Sequence, residues 1–267
     1  MRWGIMRAVI RKDVRSLNRN RNALIPMFML PLIMFIIVPI AMLTMGYMMS
    51  GQAINTKDIL TTIPSGLIPS QYTGVTAIVY AVLIYYLAPL YMLLPALIAN
   101  VAASASFVGE KEDRTLEGLI SSPITTRELV MAKSIASLIP TMGCSLITGL
   151  LYTLIIDIGG GRLFHALIFP NTAWVIIMLL TTPLTAIMAI ELVTFISQHA
   201  KTVMDAQGTG MIVLIPFIGI LVAQTSGSMN LDIPTVIIAT ITIAISDIAL
   251  LWFVIRATNA EGMLLRQ

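Results

Sequence analysis

The chain of 267 residues predicts an all-α integral membrane protein, with six transmembrane helices behind an amino-terminal amphipathic interfacial helix, in a single membrane domain over residues 1–267. Three observations carry the prediction. Hydrophobic residues make up 57% and charged residues 11% of the chain, with a mean hydropathy of +0.91, beyond what a soluble domain carries. The apolar residues fall into stretches of the length that crosses about 30 Å of hydrocarbon, roughly 20 residues for a helix that satisfies its own backbone polar groups. Strand-period alternation is absent, which argues against a barrel.

The elements follow in chain order. In residues 1–22, Trp3, Met6, Ile10, Val14 and Leu17 recur at helical spacing while Arg2, Lys12, Arg15 and Arg19 take other faces. This predicts an interfacial helix with its apolar stripe in the headgroup region and its basic residues on phosphate or a partner protein. The first span, 23–49, is too long for a signal-peptide core and lacks an Ala-x-Ala cleavage site, so it stays in the membrane. The second, 75–107, is long enough to tilt or bend at Pro89 and Pro95. In its inner half Ala99 with Ala103, and Ala102 with Ser106, place small residues four apart, a spacing that lets another helix approach closely.

A charged loop, 109–133, leads to the third span, 134–156. Gly159-Gly160-Gly161, beside Asp157 and Arg162, reads as a turn in the outer loop that follows. The fourth span covers 172–196, the fifth 208–224 with Pro216 near its middle, and the sixth 235–255. The fifth is the shortest, yet without it the charged ends would lie on opposite sides.

Orientation follows from the basic residues. Of the 16 lysines and arginines, 14 lie in the amino-terminal tail, the second and fourth loops and the carboxyl end; only Lys57 and Arg162 lie on the other side. The positive-inside bias therefore predicts a multi-pass protein of the cell membrane with both termini in the cytoplasm. The net charge of +3 then reflects attraction to anionic headgroups and not a nucleic-acid partner. Cys144 alone permits no intramolecular disulfide, no Cys/His cluster has metal-ligand spacing, and His165 and His199 read as surface residues.

The densest charge cluster runs from Gly109 to Leu129, between two long apolar runs. A Thr115-Leu116-Glu117-Gly118-Leu119-Ile120 run has the makings of a short helix ended by Pro123. Thr125 and Glu128 then form a Thr-x-x-Glu capping box that starts a new helix feeding the third span. Helix, break and helix make a rigid knuckle suited to docking a soluble partner. Glu110-Lys111-Glu112, Arg114-Thr115-Leu116-Glu117, Leu119, Pro123, Glu128-Leu129 and Lys133 resemble the characteristic loop of ABC-2 type permeases, membrane subunits of ABC exporters. Arg11-Lys12-Asp13, Arg19-Asn20-Arg21 and Pro31 are similar to that family's basic entry helix and first-span proline, and Glu261 to Leu265 to its carboxyl end. Asp113 and Arg114 depart from the small residues usual there, and Gly118 interrupts the short helix.

The resemblance implies a type V exporter-like permease that pairs with a second permease chain, as a homodimer, and with two copies of a cytoplasmic ATPase. Glu110, Lys111, Glu112, Arg114, Thr115, Leu116, Glu117, Leu119 and Pro123 would then form the coupling helix seated in the ATPase. ATP and Mg would be bound by that partner, and this chain would catalyse nothing itself. The chain has no Gly-x-x-x-x-Gly-Lys-Ser/Thr phosphate loop, so its energy comes from a partner or from an ion gradient. The gradient alternative is a secondary transporter that uses the intramembrane acids Glu191 and Asp247, which no Lys or Arg within a span neutralises, with Asn100 as a further polar site. Neither an internal repeat nor paired Gly-interrupted spans support it. A structural assembly factor accounts for six spans but not for the capped knuckle. The short outer loops leave no room for a receptor domain, and a compact amphipathic molecule or a cation is the expected substrate.

Overall fold

Six helices long and apolar enough to cross a membrane follow a shorter amphipathic one in the computed structural model, which describes residues 3–19, 21–49, 68–112 and 125–257. They are α1 (Trp3–Arg19), α2 (residues 21–49), α3 (Gly74–Glu112), α4 (Thr126–Phe164), α5 (Thr172–Ile196), α6 (Val203–Thr225) and α7 (Ile233–Ala257). No strand occurs among the described residues.

Helix α3 is the hub. In its most apolar window 72% of the residues are buried, against 28% in α2 and 22% in α6 and α7, so α3 is wrapped by the others while those three show much of their apolar surface to lipid or to another chain. Ala99, Ala102 and Ala103 have no exposed surface and Ser106 almost none, so the small-residue stripe is filled within this chain, where α3 packs on α4 and α5. A ring cluster joins four helices: Phe35 of α2 meets Tyr91 of α3 and Tyr152 of α4, centroids 5.3 and 5.6 Å apart, and Tyr152 stacks on Trp174 of α5 at 5.2 Å.

Proline sets the irregularities. A π-helical segment precedes Pro39 (Ile33–Ile37), Pro89 (Ala81–Tyr86) and Pro183 (Ile177–Thr181), and a 3₁₀ turn (Met211–Leu214) precedes Pro216. A proline ring clashes with the carbonyl four residues back and donates no hydrogen bond, and widening or tightening the preceding turn relieves the clash. In α3 this frees carbonyls that lipid cannot satisfy. Three neighbouring helices supply donors: Tyr152 Oη donates to Leu83 O, Trp174 Nε1 to Ile84 O at 2.8 Å, and Gln224 Nε2 to Tyr85 O at 2.8 Å. The bend expected at Pro89 is thus a joint between four helices.

Several boundaries differ from the sequence expectation. Helix α6 starts at Val203, five residues before the expected 208, because Thr202 and Asp205 form a capping box with bonds of 3.1 and 3.2 Å. Pro216 then opens the second half of the helix, and the 23 residues suffice to span. The glycine run is no turn: Gly159-Gly160-Gly161 is helical, and α4 ends only at Phe164, where His165 takes the left-handed conformation (φ 54°). Gly159 packs closely on α2: a Cβ there would stand 2.9 Å from Leu43 Cδ1, and Tyr47 Oη donates to its carbonyl at 2.6 Å. At the other end, α3 continues through a turn at Val108 to Glu112 and α4 begins at Thr126, so the expected loop of 109–133 is helical at both its ends.

Candidate coupling site

One end of the bundle carries α1, the close of α3, the opening of α4 and the start of α6. Thr125 caps α4 as the spacing requires: its Oγ1 accepts from Glu128 N and Glu128 Oε2 accepts from Thr125 N, both at 3.3 Å. That cap fixes where α4 starts and puts Lys133 in its second turn, on the face turned to α1 and α3.

There Lys133 is buried among acceptors. Its Nζ lies 2.7 Å from Glu110 Oε2 and 3.6 Å from Asp13 Oδ2, and donates to the Ser106 carbonyl. Ser106 Oγ in turn donates to Asp13 Oδ2 at 2.8 Å, and Lys12 Nζ pairs with Glu110 Oε1. Two carboxylates and two ammonium groups, with Asp13 and Lys133 almost fully covered, thus lock α1, α3 and α4 together. A buried ion cluster holds only when its members satisfy one another, so geometry here is strongly specified.

The next two residues reach a fourth element. Lys111 Nζ donates to Ala200 O at 3.1 Å, at the connection from α5 to α6, and Val203 N donates to Glu112 Oε2 at 2.8 Å. A carboxylate at a helix start satisfies an unpaired N–H and complements the helix dipole. Glu110, Lys111 and Glu112 are therefore where α1, α4 and α6 all grip the end of α3. Arg114, Thr115, Leu116, Glu117, Leu119 and Pro123 lie outside the described residues, as does the Glu261 to Leu265 stretch.

The amphipathic helix forms as expected, and part of its apolar stripe meets protein, while Ile10 and Val14 are half-buried. Met6 and Leu17 are buried with Asp13 between them on the side facing α4, while Trp3 is 70% exposed. Asp13, on the stripe's flank, is drawn onto Ser106 and Lys133 and so holds that face of α1 against α3 and α4. Sequence reasoning missed Asp13, Lys12 and Lys133 as members of the site. The signal available was an acid on the buried flank of an otherwise basic helix.

The intramembrane polar residues take separate places. Asn100 is buried, donates Nδ2 to Gln207 O of α6 at 3.0 Å, and packs its Oδ1 where a Cβ on Gly210 would stand 2.2 Å away. Glu191 of α5 and Asp247 of α7 are buried where those helices pack, near enough to interact electrostatically. Lys133 of α4 is committed to Asp13 and Glu110. Among the described residues no group of three or more His, Cys, Asp or Glu is placed to hold a metal.

No curated protein and no solved structure matches the chain. A family model described as ABC-2 family transporter protein matches residues 7–255, from α1 through the last span, including every residue of the ion cluster. With six membrane-crossing helices and that match over nearly all of its length, the chain belongs to the ABC-2 transporter family and is a membrane permease subunit of an ABC transporter.

Proposed function

We propose that this permease forms half of the translocation pathway of an ATP-driven exporter, paired with a second copy of itself, and that the segment opening at Glu110 docks into a separate cytoplasmic ATPase present in two copies. The basic end of the bundle is then the cytoplasmic end, as the positive-inside bias requires. The observation that carries the reading is the grip on Glu110–Glu112. A push on the segment after Glu112 reaches α1 through Lys12, α4 through Lys133 and α6 through Val203 N, and so moves these helices as one body. A loose tether would transmit nothing. ATP and Mg are bound by the partner, whose closing motion alternates access between the two six-helix halves.

Charge reversal tests this. Glu117→Arg, beyond the ion cluster, is expected to abolish substrate-stimulated ATP hydrolysis by the reconstituted complex while membrane insertion is unchanged. Glu112→Arg is expected to do the same and also to loosen the start of α6. ATPase stimulation at the wild-type level in both variants would remove the coupling role.

A further inference from the structure

Helix α1 turns one face to α4 and leaves another without a protein partner. Arg7, Arg11 and Arg15 repeat every four residues, so their guanidinium groups form a row with about 6 Å between successive members. All three are exposed, and no carboxylate among the described residues pairs with them; the nearby acids Asp13 and Glu110 are taken by Lys12 and Lys133. On one side the row is bordered by Gly4, Ala8 and Lys12, all exposed.

The opposite border of the row is apolar. Ile10 and Val14 are half-buried, and Trp3 is 70% exposed on the same edge of the helix. A row of guanidinium groups beside an exposed indole and a partly covered aliphatic strip matches one object: a phospholipid monolayer, with phosphate outside and acyl chain within. An acidic protein surface would match the arginines and leave Trp3 uncovered by anything apolar. The position agrees, because α1 is tied to the ends of α3 and α4 through Ser106, Glu110 and Lys133, at one end of the bundle.

The geometry points to a binding site for anionic phospholipid headgroups of the cytoplasmic leaflet, formed by Arg7, Arg11 and Arg15 with Trp3 as its interfacial anchor. The inference rests on the orientation proposed above, and lipid binding is read without ATP or an ATPase, so it stands or falls separately from the coupling role. Through the Lys12–Glu110 pair, an occupied site steadies the helix that grips the coupling segment.

The test uses the full-length permease reconstituted in phosphatidylcholine bilayers containing phosphatidylglycerol, with spin-labelled forms of each lipid reporting relative affinity. The wild type is expected to prefer phosphatidylglycerol, and the preference to shrink as salt is raised from about 0.1 to about 1 M. Removing each arginine is expected to cost about fivefold in relative affinity, and Arg7→Gln, Arg11→Gln and Arg15→Gln together roughly 100-fold. Lysine at the three positions keeps most of the preference. Unchanged helicity by circular dichroism and a single gel-filtration peak show that the glutamine variant is folded. Absence of a preference in the wild type, or a wild-type preference in the folded glutamine variant, overturns the site. A glutamine variant that keeps its lipid preference but no longer co-purifies with the ATPase also overturns it, and assigns the row to that protein.

Discussion

Glu110 ties two helices to the end of α3, since each of its carboxylate oxygens holds a lysine from a different helix. Its neutralisation tests that directly. Glu110→Gln leaves Lys133, which is only 3% exposed, with Asp13 at 3.6 Å as its one remaining counter-charge among the described residues. Breaking a buried pair by removing one partner costs about 3–5 kcal/mol, and the Asp13 contact places this case at about 3. The expected outcome is a clear fall in the thermal unfolding midpoint in detergent, with wild-type stability as the result that would count against the cluster. Glu110 could be picked out in the sequence because it opens a dense charge cluster. Lys133 could be noted only as part of a motif, since nothing local shows that a lysine in a helix's second turn lies under another helix.

At the scale of elements, the cap at Thr125 was readable in the sequence, the one at Thr202 was overlooked, and the helix contacts were hidden. The Thr125 and Thr202 caps are local patterns of four residues, so their geometry follows from sequence spacing alone. The joint at Ala81–Tyr86 is different. Pro89 marks where the ladder of α3 must deform, but the donors that rescue the freed carbonyls come from α4, α5 and α6. The contact of α3 with α6 through Asn100 and Gly210 is likewise tertiary, and it gives a prediction at this scale. A Cβ at Gly210 collides with Asn100 Oδ1, and Val193 Cγ2 stands 3.2 Å away, so Gly210→Ala is expected to destabilise by about 1–3 kcal/mol through overpacking. Asn100→Ala in the same chain removes the obstacle, and the pair is expected to be less harmful than the sum of the single changes. Strict additivity in thermal unfolding would deny the contact.

For the whole molecule, membership of an ABC transporter family locates the energy source outside the chain and leaves Glu191 and Asp247 without need of a fuel role. Asp247→Asn keeps the shape of the side chain and removes its charge. Transport by the variant is expected to follow the wild-type profile from about pH 5 to about pH 9, a range that includes histidine titration. A displaced profile would return the carboxyl pair to a part in transport. The apolar surfaces of α2, α6 and α7 are exposed against a covered α3, and a second permease chain is the proposed neighbour for part of that surface.

Class, number of spans and the bias of basic residues to one end were set by the sequence itself, because hydropathy and segment length act along the chain and need no partner. What only the tertiary structure decided is which residues meet: Lys12 with Glu110, 98 residues apart, Asp13 with Ser106, 93 apart, and the apolar stripe of α1 with α4. In lipid, an apolar face has no intrinsic preference between acyl chains and another helix. Buried charges and freed carbonyls do have a preference, since each must find its complement, and these sparse polar contacts choose the packing.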